Sequence, residues 1–276
     1  MSFHAPATVR RSLFGVPIDA LTMRETVARV EAAIDARRSL LIGVVNAAKI
    51  VNMQRDAALR ASVLASDLIL ADGMAVVWAA RLLGRPLPER VAGIDLMLEM
   101  LARGDECGWR VFCLGAKADV LARFAQRVAE RHPRLNLVGC RHGYYKSDEE
   151  PDVAREIGAA RPDILLVAMT SPRKEQFLAR WHTVIGNVVS HGVGGSFDVV
   201  AGMVKRAPPL WQRCGMEWLY RVWQEPGRLW KRYLVTNVMF CWMLLAALVA
   251  RLLGARPTPA IGADPAPRRA PSARNP

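Results

Sequence analysis

The sequence predicts an α/β protein: a Rossmann-like, mainly parallel sheet with helices on both faces, followed by a C-terminal helical, membrane-associating appendage. Three observations predict it. Short β-branched runs alternate with helix-period stretches from residue 40 to residue 200, the pattern of successive βαβ units. Several of those runs end in glycine-bearing turns, where open sheets of this kind bind ligands. Beyond Gly202 the composition shifts to tryptophan and basic residues, then to an uncharged run. A chain of 276 residues, 52% hydrophobic, is ample for a buried core.

Residues 13–18 read as a short strand. Thr22 and Glu25 have the spacing of a capping box opening a helix to about Arg37, with Val27, Val30 and Ile34 on its apolar face. A strand over Leu40 to Val45 ends in Asn46, which either caps the helix starting at Ala47 or turns its amide toward a ligand at the strand's carboxyl end. The next strand, Asp67 to Leu70, runs into Ala71-Asp72-Gly73, and a helix over Met74 to Leu83 follows. Asp72 has two readings: the N-cap of that helix, or an acid in a crevice and a candidate general base. Arg90 precedes a helix from Gly93 to about Arg103, so acid and cation are expected to face one crevice.

From Trp109 the pattern is regular. Arg110 to Leu114 is a strand, Gly115-Ala116-Lys117 a turn, Ala118 to Arg131 a helix and Leu135 to Val138 a strand. Gly115 stands where helix amides meet phosphates, but the Gly-x-Gly-x-x-Gly fingerprint is missing, which argues against a dinucleotide site. In the loop Gly143-Tyr144-Tyr145, Tyr144 either stacks on a base or plugs the edge of the core. A helix from about Asp148 to Ala160 and a strand over Asp163 to Ala168 follow. Met169 to Gln176 opens another helix, with Pro172 near its first turn and the cations Arg173 and Lys174 beside its anion-friendly end. A strand over Asn187 to Ser190 leads into His191-Gly192-Val193-Gly194-Gly195-Ser196-Phe197-Asp198, whose glycines admit a ligand close to the backbone. It lacks the ending of a Walker loop.

A net charge of +13 and a pI near 10.3 imply an anionic partner: nucleic acid, a membrane surface or a phosphorylated small molecule. The five cysteines form no Cys-x-x-Cys pair and the five histidines lack ligand spacing, so no metal and no disulfide framework are expected. His142 and His191 are expected in loops, as structural or surface residues. Arg10-Arg11-Ser12-Leu13-Phe14 looks briefly like a twin-arginine signal, but Pro17, Asp19, Arg24 and Glu25 interrupt it. The active part is expected inside the cell.

Between Lys205 and Arg256, nine Lys/Arg face only Glu217 and Glu225, with Trp211, Trp218, Trp223, Trp230 and Trp242 interleaved. That mixture suits a membrane interface, and nucleic-acid stacking gives a similar list. The uncharged run from Leu234 to Ala250 separates the two. It lies at the lower edge of the roughly 17–25 residues that span a bilayer, so lying in the interface is favoured over spanning, with a homo-oligomer contact as a third reading. The expected divisions are a flexible N-terminus (1–11), an α/β catalytic domain (12–207), the appendage (208–253) and a disordered tail (254–276).

The ordered set Val45-Asn46, Ala71-Asp72-Gly73-Met74, Arg90-Val91-Ala92-Gly93-Ile94-Asp95-Leu96, Leu114-Gly115, His142-Gly143-Tyr144, Ser171-Pro172-Arg173-Lys174-Glu175, Gly192 to Asp198 and Gln224-Glu225-Pro226-Gly227-Arg228 strongly resembles the WecG/TagA/CpsF family of bacterial glycosyltransferases, over about residues 12–233. The resemblance implies transfer of a sugar from a UDP-sugar to a polyprenyl-diphosphate-linked saccharide, with inversion and with no metal or other cofactor required. It places the work in surface polysaccharide synthesis at the cytoplasmic face of the inner membrane, held peripherally or by a single C-terminal segment, with no nucleic-acid partner. By the same resemblance Asp72 is the general base, Asn46 and Arg90 line the sugar pocket, Gly143, Tyr144 and Asp198 hold the uridine, and Gly194 and Gly195 form the loop beside it. Arg221 and Arg228 match cations that close over the donor diphosphate in place of a metal ion. Two departures stand out: Val44 where many members have Thr, and Lys174 where many have Gln. They imply a donor other than UDP-N-acetylmannosamine, and Lys174 suits a uronic acid. A reading from another class is a non-catalytic basic module that binds membrane or RNA.

Overall fold

The computed structural model describes residues 9–254, and of Arg228 only the backbone. The flexible start expected at 1–11 and the disordered tail expected at 254–276 therefore fall, up to residue 8 and from residue 255, outside the described residues.

The chain opens with β1 (Arg10–Leu13) and β2 (Val16–Asp19), an antiparallel hairpin. The single strand predicted over 13–18 is divided by Phe14 and Gly15, both at positive φ (51° and 73°), the geometry of a two-residue hairpin turn. Next come α1 (Met23–Asp35), β3 (Leu40–Val45), α2 (Ala47–Met53), α3 (Ala57–Leu64), β4 (Leu68–Ala71), α4 (Met74–Leu82) and α5 (Gly93–Cys107). The Thr22–Glu25 capping box forms as expected. Helix α3 has no counterpart in the sequence reading: Asp56 caps it, and only Leu59 and Val63 are buried, too few for a visible period.

The second half holds β5 (Arg110–Gly115), α6 (Ala118–Arg131), β6 (Asn136–Arg141), α7 (Glu150–Ala160), β7 (Ile164–Ala168), α8 (Arg173–Ile185), β8 (Val189–Gly192) and α9 (Ser196–Val200). Strand β8 runs two residues further than predicted, because His191 and Gly192 pair with Leu166 and Val167 of β7. His191 is thus a buried strand residue and not, as expected, a loop residue. His142 does lie in a loop.

Six strands form one sheet in the order β4-β3-β8-β7-β5-β6, every pairing parallel. Alternate residues feed cores on the two faces. Ile42, Val44, Leu68, Leu70 and Val111 join α1, α5 and α6 on one side. Val45, Ile69 and Ala71 join α2, α3 and α4, and Phe112, Leu114 and Val167 join α7 and α8, on the other. The hairpin docks beside β4, where the buried Asp19 carboxylate accepts the Ile69 N–H at 2.7 Å and so occupies part of an otherwise open sheet edge.

All six strands end at the same edge of the sheet. To reach β5 from β4 the chain crosses β3, β8 and β7 by way of α4 and α5, so the loops after β3 and β4 part from those after β5 and β6. Such a reversal leaves a crevice outside the strand ends. Beyond it α10 (Pro209–Arg213), α11 (Glu217–Gln224) and α12 (Pro226–Leu252) form the appendage. Phe240, 3% exposed, holds α12 to the body, meeting Phe14 edge-on at 5.5 Å with Met239, Met243 and Leu244 beside it. The opposite face carries exposed Leu234, Val238, Trp242 and Leu245. By length and composition alone, Leu229–Leu252 is apolar enough to cross a membrane.

A candidate active site at the carboxyl edge of the sheet

Asp72 follows β4 directly, and its N–H extends the ladder to Val45 O. It does not cap α4; Gly73 holds that position, which corrects the cap reading. Its Oδ1 instead accepts the N–H of Gly93, first residue of α5, at 2.9 Å. Asp72 keeps some accessible surface, yet loss of hydration pushes its carboxyl above the ordinary carboxylate range. The Gly93 N–H opposes that push, the Glu217 carboxylate adds to it, and Arg221 and Lys49 oppose it more weakly. A carboxylate fixed through one oxygen and hungry for a proton is suited to base catalysis.

Asn46 sits beside it, since Val45 and Ala71 are register partners. Its Oδ1 caps α2, accepting the Lys49 N–H at 3.0 Å. The cap uses the carbonyl end, leaving the amide NH2 as the group with which Asn46 can meet a ligand.

Below these two lies a charged floor that the sequence reading only half found. Lys49 donates through Nζ to Val44 O at 2.7 Å and to Glu175 Oε1 at 2.8 Å. Lys174 reaches the same Oε1 at 3.5 Å. Burial pushes the Lys174 ammonium down to about 8, with Lys49 adding and Glu175 resisting. For Glu175, burial acts upward but the two lysines prevail, and its carboxyl falls to about 2. Lys49 stands three residues after the cap Asn46, and Glu175 directly after Lys174; both spacings were available as signals.

At the mouth, Arg90 donates to Asp95 at 3.3 Å and to Glu217 of α11 at 3.1 Å. Arg206 pairs with Asp95 at 2.7 Å and Arg221 with Glu217 at 3.3 Å. Arg206, Asp95, Arg90, Glu217 and Arg221 thus form one chain of charges joining body and appendage. Arg90, expected in the sugar pocket, is held by two carboxylates, and Arg221 lies within electrostatic reach of Asp72. The Arg228 side chain lies outside the described residues. Asp95, Arg206 and Glu217 were missed as site residues, although Glu217 and Arg221 have the four-residue spacing of a helix ion pair.

Across the sheet, the loop after β6 is tied down by Arg173, which donates to Gly143 O at 3.1 Å and Tyr145 O at 2.9 Å and lies over the Tyr145 ring at 4.4 Å. Gly143 is required for space: a Cβ there would stand 3.0 Å from both Gly115 Cα and Met169 Cγ. Tyr145, not Tyr144, plugs the core; Tyr144 is 70% exposed, with its ring open to solvent at the end of β6. Gly194, at φ 55°, and Gly195 turn the chain after β8 into α9. Asp198 lies in the first turn of α9 with its Oδ2 on the Gly195 side, and its carbonyl accepts the Met203 N–H.

His191 contributes from beneath. One ring nitrogen lies 3.0 Å from Gly93 O, the other 3.5 Å from Ile42 O. Burial pushes it down to about 4, so it is neutral at pH 7, and it braces the peptide whose N–H holds Asp72. Among the described residues, no three of His, Cys, Asp and Glu are grouped as metal ligands.

Residues 11–253 match the model of the Glycosyl transferase WecG/TagA/CpsF family. The chain belongs to that family. One WecG/TagA/CpsF relative, the N-acetylglucosaminyldiphosphoundecaprenol N-acetyl-beta-D-mannosaminyltransferase of Bacillus spizizenii (strain ATCC 23059 / NRRL B-14472 / W23), is 40% identical over 169 residues. That stretch covers 61% of this chain and 65% of the relative, just under two thirds of its length.

Proposed function

We propose that this WecG/TagA/CpsF protein is an inverting glycosyltransferase that moves a sugar from a UDP-sugar to a polyprenyl-diphosphate-linked saccharide in cell-surface polysaccharide synthesis, at the cytoplasmic face of the inner membrane. The observation that carries the reading is the Asp72 carboxyl at the crevice, fixed by Gly93 and raised in proton affinity by burial. The name of the Bacillus spizizenii relative, with its diphosphoundecaprenol-linked acceptor, supports the acceptor class.

In the reaction, the acceptor hydroxyl gives its proton to Asp72 while its oxygen bonds to the anomeric carbon, on the face opposite the diphosphate. The bond from that carbon to the diphosphate breaks, its electron pair leaves with UDP, and the configuration inverts. Charge grows on the departing phosphate oxygen, and Arg221, with Arg228 by the family resemblance, supplies the positive charge that offsets it. Asn46 and Arg90 orient the sugar. Gly143, Tyr144 and Asp198 hold the uridine, Tyr144 as a stacking face, and Gly194 and Gly195 form the loop alongside. Residues 12–207 act as the catalytic domain and residues 208–253 bring the lipid-linked acceptor to it. The docked Phe240 and the outward Leu234, Val238, Trp242 and Leu245 favour α12 lying in the membrane interface.

The test is Asp72→Asn. UDP binding persists and turnover falls by about 10²–10⁴, the usual contribution of a general base. Near-normal turnover rules out Asp72 as the base.

A further inference from the structure

We propose that Cys140 of the edge strand β6 and its register partner Cys113 of β5 form a dithiol that small-molecule disulfides of the glutathione class close to a cross-strand disulfide, displacing the loop after β6. Closure stands on the strands alone; its effect on nucleotide binding rests on the uridine assignment above.

A bulge creates the pair. Val111 stands opposite Leu137 but Phe112 opposite Gly139, so Val138 is the extra residue of a β-bulge. The shift brings Cys140 opposite Cys113, a place that Gly139 would hold in an unbroken ladder. Neighbouring strands lie about 4.8 Å apart, inside the roughly 4.4–6.8 Å between Cα atoms that a disulfide bridges. The two thiols meet, since they are hydrogen-bonded to each other.

The thiols differ in kind. Cys113 is fully buried, in the core that holds Val120 and Phe124 of α6, whereas Cys140 is exposed. The hydrogen bond from Cys113 holds the Cys140 thiol below its ordinary range, against burial; the same bond, with burial adding, pushes Cys113 well above it. Cys140 is therefore the thiolate that an oxidant meets, and Cys113 the resolving thiol. The Cys140 thiolate attacks one sulfur of the small disulfide, and a mixed disulfide forms. One small thiolate leaves and takes up the proton that Cys140 had released. The Cys113 sulfur then bonds to the Cys140 sulfur, its proton passing to the second leaving thiolate. Two protein thiols become one disulfide, and one small disulfide becomes two thiols.

Closure acts where the strand ends have no slack. Gly143, just beyond β6, donates its N–H to Ala116 O at 3.0 Å, and a Cβ on it would stand 3.0 Å from Gly115 Cα. Arg173 holds the same loop from α8 through Gly143 O and Tyr145 O. A disulfide sets its two Cβ atoms about 3.8 Å apart, closer than the strand spacing, so closing draws the end of β6 toward β5. A loop anchored on both sides must then give up an anchor.

The test uses the full-length protein in detergent, with the exposed Cys107, Cys214 and Cys241 changed to serine. It is equilibrated in glutathione buffers of graded oxidation and read by mass spectrometry after free thiols are alkylated in denaturant. Expected is one transition in which both thiols are lost together, with no glutathione retained, and dithiothreitol reverses it. In the closed form, amide exchange across residues 142–146 rises and UDP binds at least about fivefold more weakly by titration calorimetry. Saturating UDP shifts the transition toward the oxidised buffers by the same factor, as linkage requires. Cys113→Ser cannot close and retains one glutathione on Cys140. Glutathione retained by the parent protein, or no change in either thiol, overturns the proposal without any variant of the pair. So does a closed form whose exchange across 142–146 is unaltered. Faster exchange with UDP affinity unchanged upholds the closure and overturns the uridine assignment instead.

Discussion

Asp72 raises two expectations that pull in opposite directions. Its carboxyl is held above the ordinary range, so as a base it is ionised, and active, only as pH rises through that elevated value, and kcat/KM should climb on the acid limb and reach a plateau above it. For stability the sign reverses. A carboxyl whose pKa is higher folded than unfolded contributes stability below its unfolded pKa, lost as pH rises through the folded one. Wherever it is ionised, Asp72 therefore costs stability. Asp72→Asn, which can still accept the Gly93 N–H, should melt no lower than wild type and up to a few degrees higher, a trade of activity for stability; calorimetric melting at pH 7 checks it. Glu175 behaves oppositely. Its carboxyl is depressed to about 2 from 4.5, so its contribution is full above about 4.5 and lost toward 2. Glu175→Gln strands two buried ammonium groups and should cost about 3–5 kcal/mol at pH 7, read from urea unfolding. The two residues were not equally legible. Asp72 and Asn46 end apolar strands, where a polar residue is conspicuous. Lys49 and Glu175 sit in first turns of helices, where charge is commonplace, and only the approach of α2 to α8 across β3 brings them together.

The elements that carry the site also hold the appendage to the body. Arg90 lies before α5 and Glu217 begins α11, and their 3.1 Å bond is one link of the charge chain running from Arg206 to Arg221. Glu217 fixes Arg90 and Arg221 at once, so Glu217→Gln should loosen both. Faster amide exchange is expected across residues 217–224, with a fall in kcat of about tenfold and thermal melting of the α/β body unchanged. Unaltered exchange there would mean that the ion pair does not secure α11. The parallel sheet, five of its six strands and the flanking helices other than α3 were legible because their apolar periods are long and regular. The hairpin was not, because its turn uses Phe14 at positive φ, a residue without turn character. The end of β8 was misjudged because His191 and Gly192 do not look like strand, although β7 pairs with both.

At the scale of the whole molecule, the question is how a chain of net charge +13 meets its membrane. Length and hydropathy alone allow α12 to span, and that is as far as the sequence reaches. Packing adds a constraint. The middle of the apolar run, at Phe240, is buried against Phe14 and the α2 side of the body, and Arg251 near its end donates to Leu82 O at 3.2 Å. Spanning would require stripping Phe240, Met239 and Met243 from that surface and parting Arg251 from Leu82 O. Lying flat keeps those contacts and still gives Trp230, Leu234, Val238 and Trp242 to the lipid, with Lys231 and Arg232 near the headgroups. A cysteine placed at Gly254, just past α12, distinguishes the two arrangements, with the five native cysteines replaced by serine or alanine. In spheroplasts, where only the outer face of the membrane is accessible, an impermeant maleimide should leave that thiol unlabelled until the membrane is lysed. Labelling before lysis would put the end of α12 across the bilayer and reject the interfacial arrangement. Release of the protein from anionic vesicles by Trp242→Glu would then locate the contact on the outward face of the helix, while the unchanged Phe240 keeps α12 seated beside the crevice.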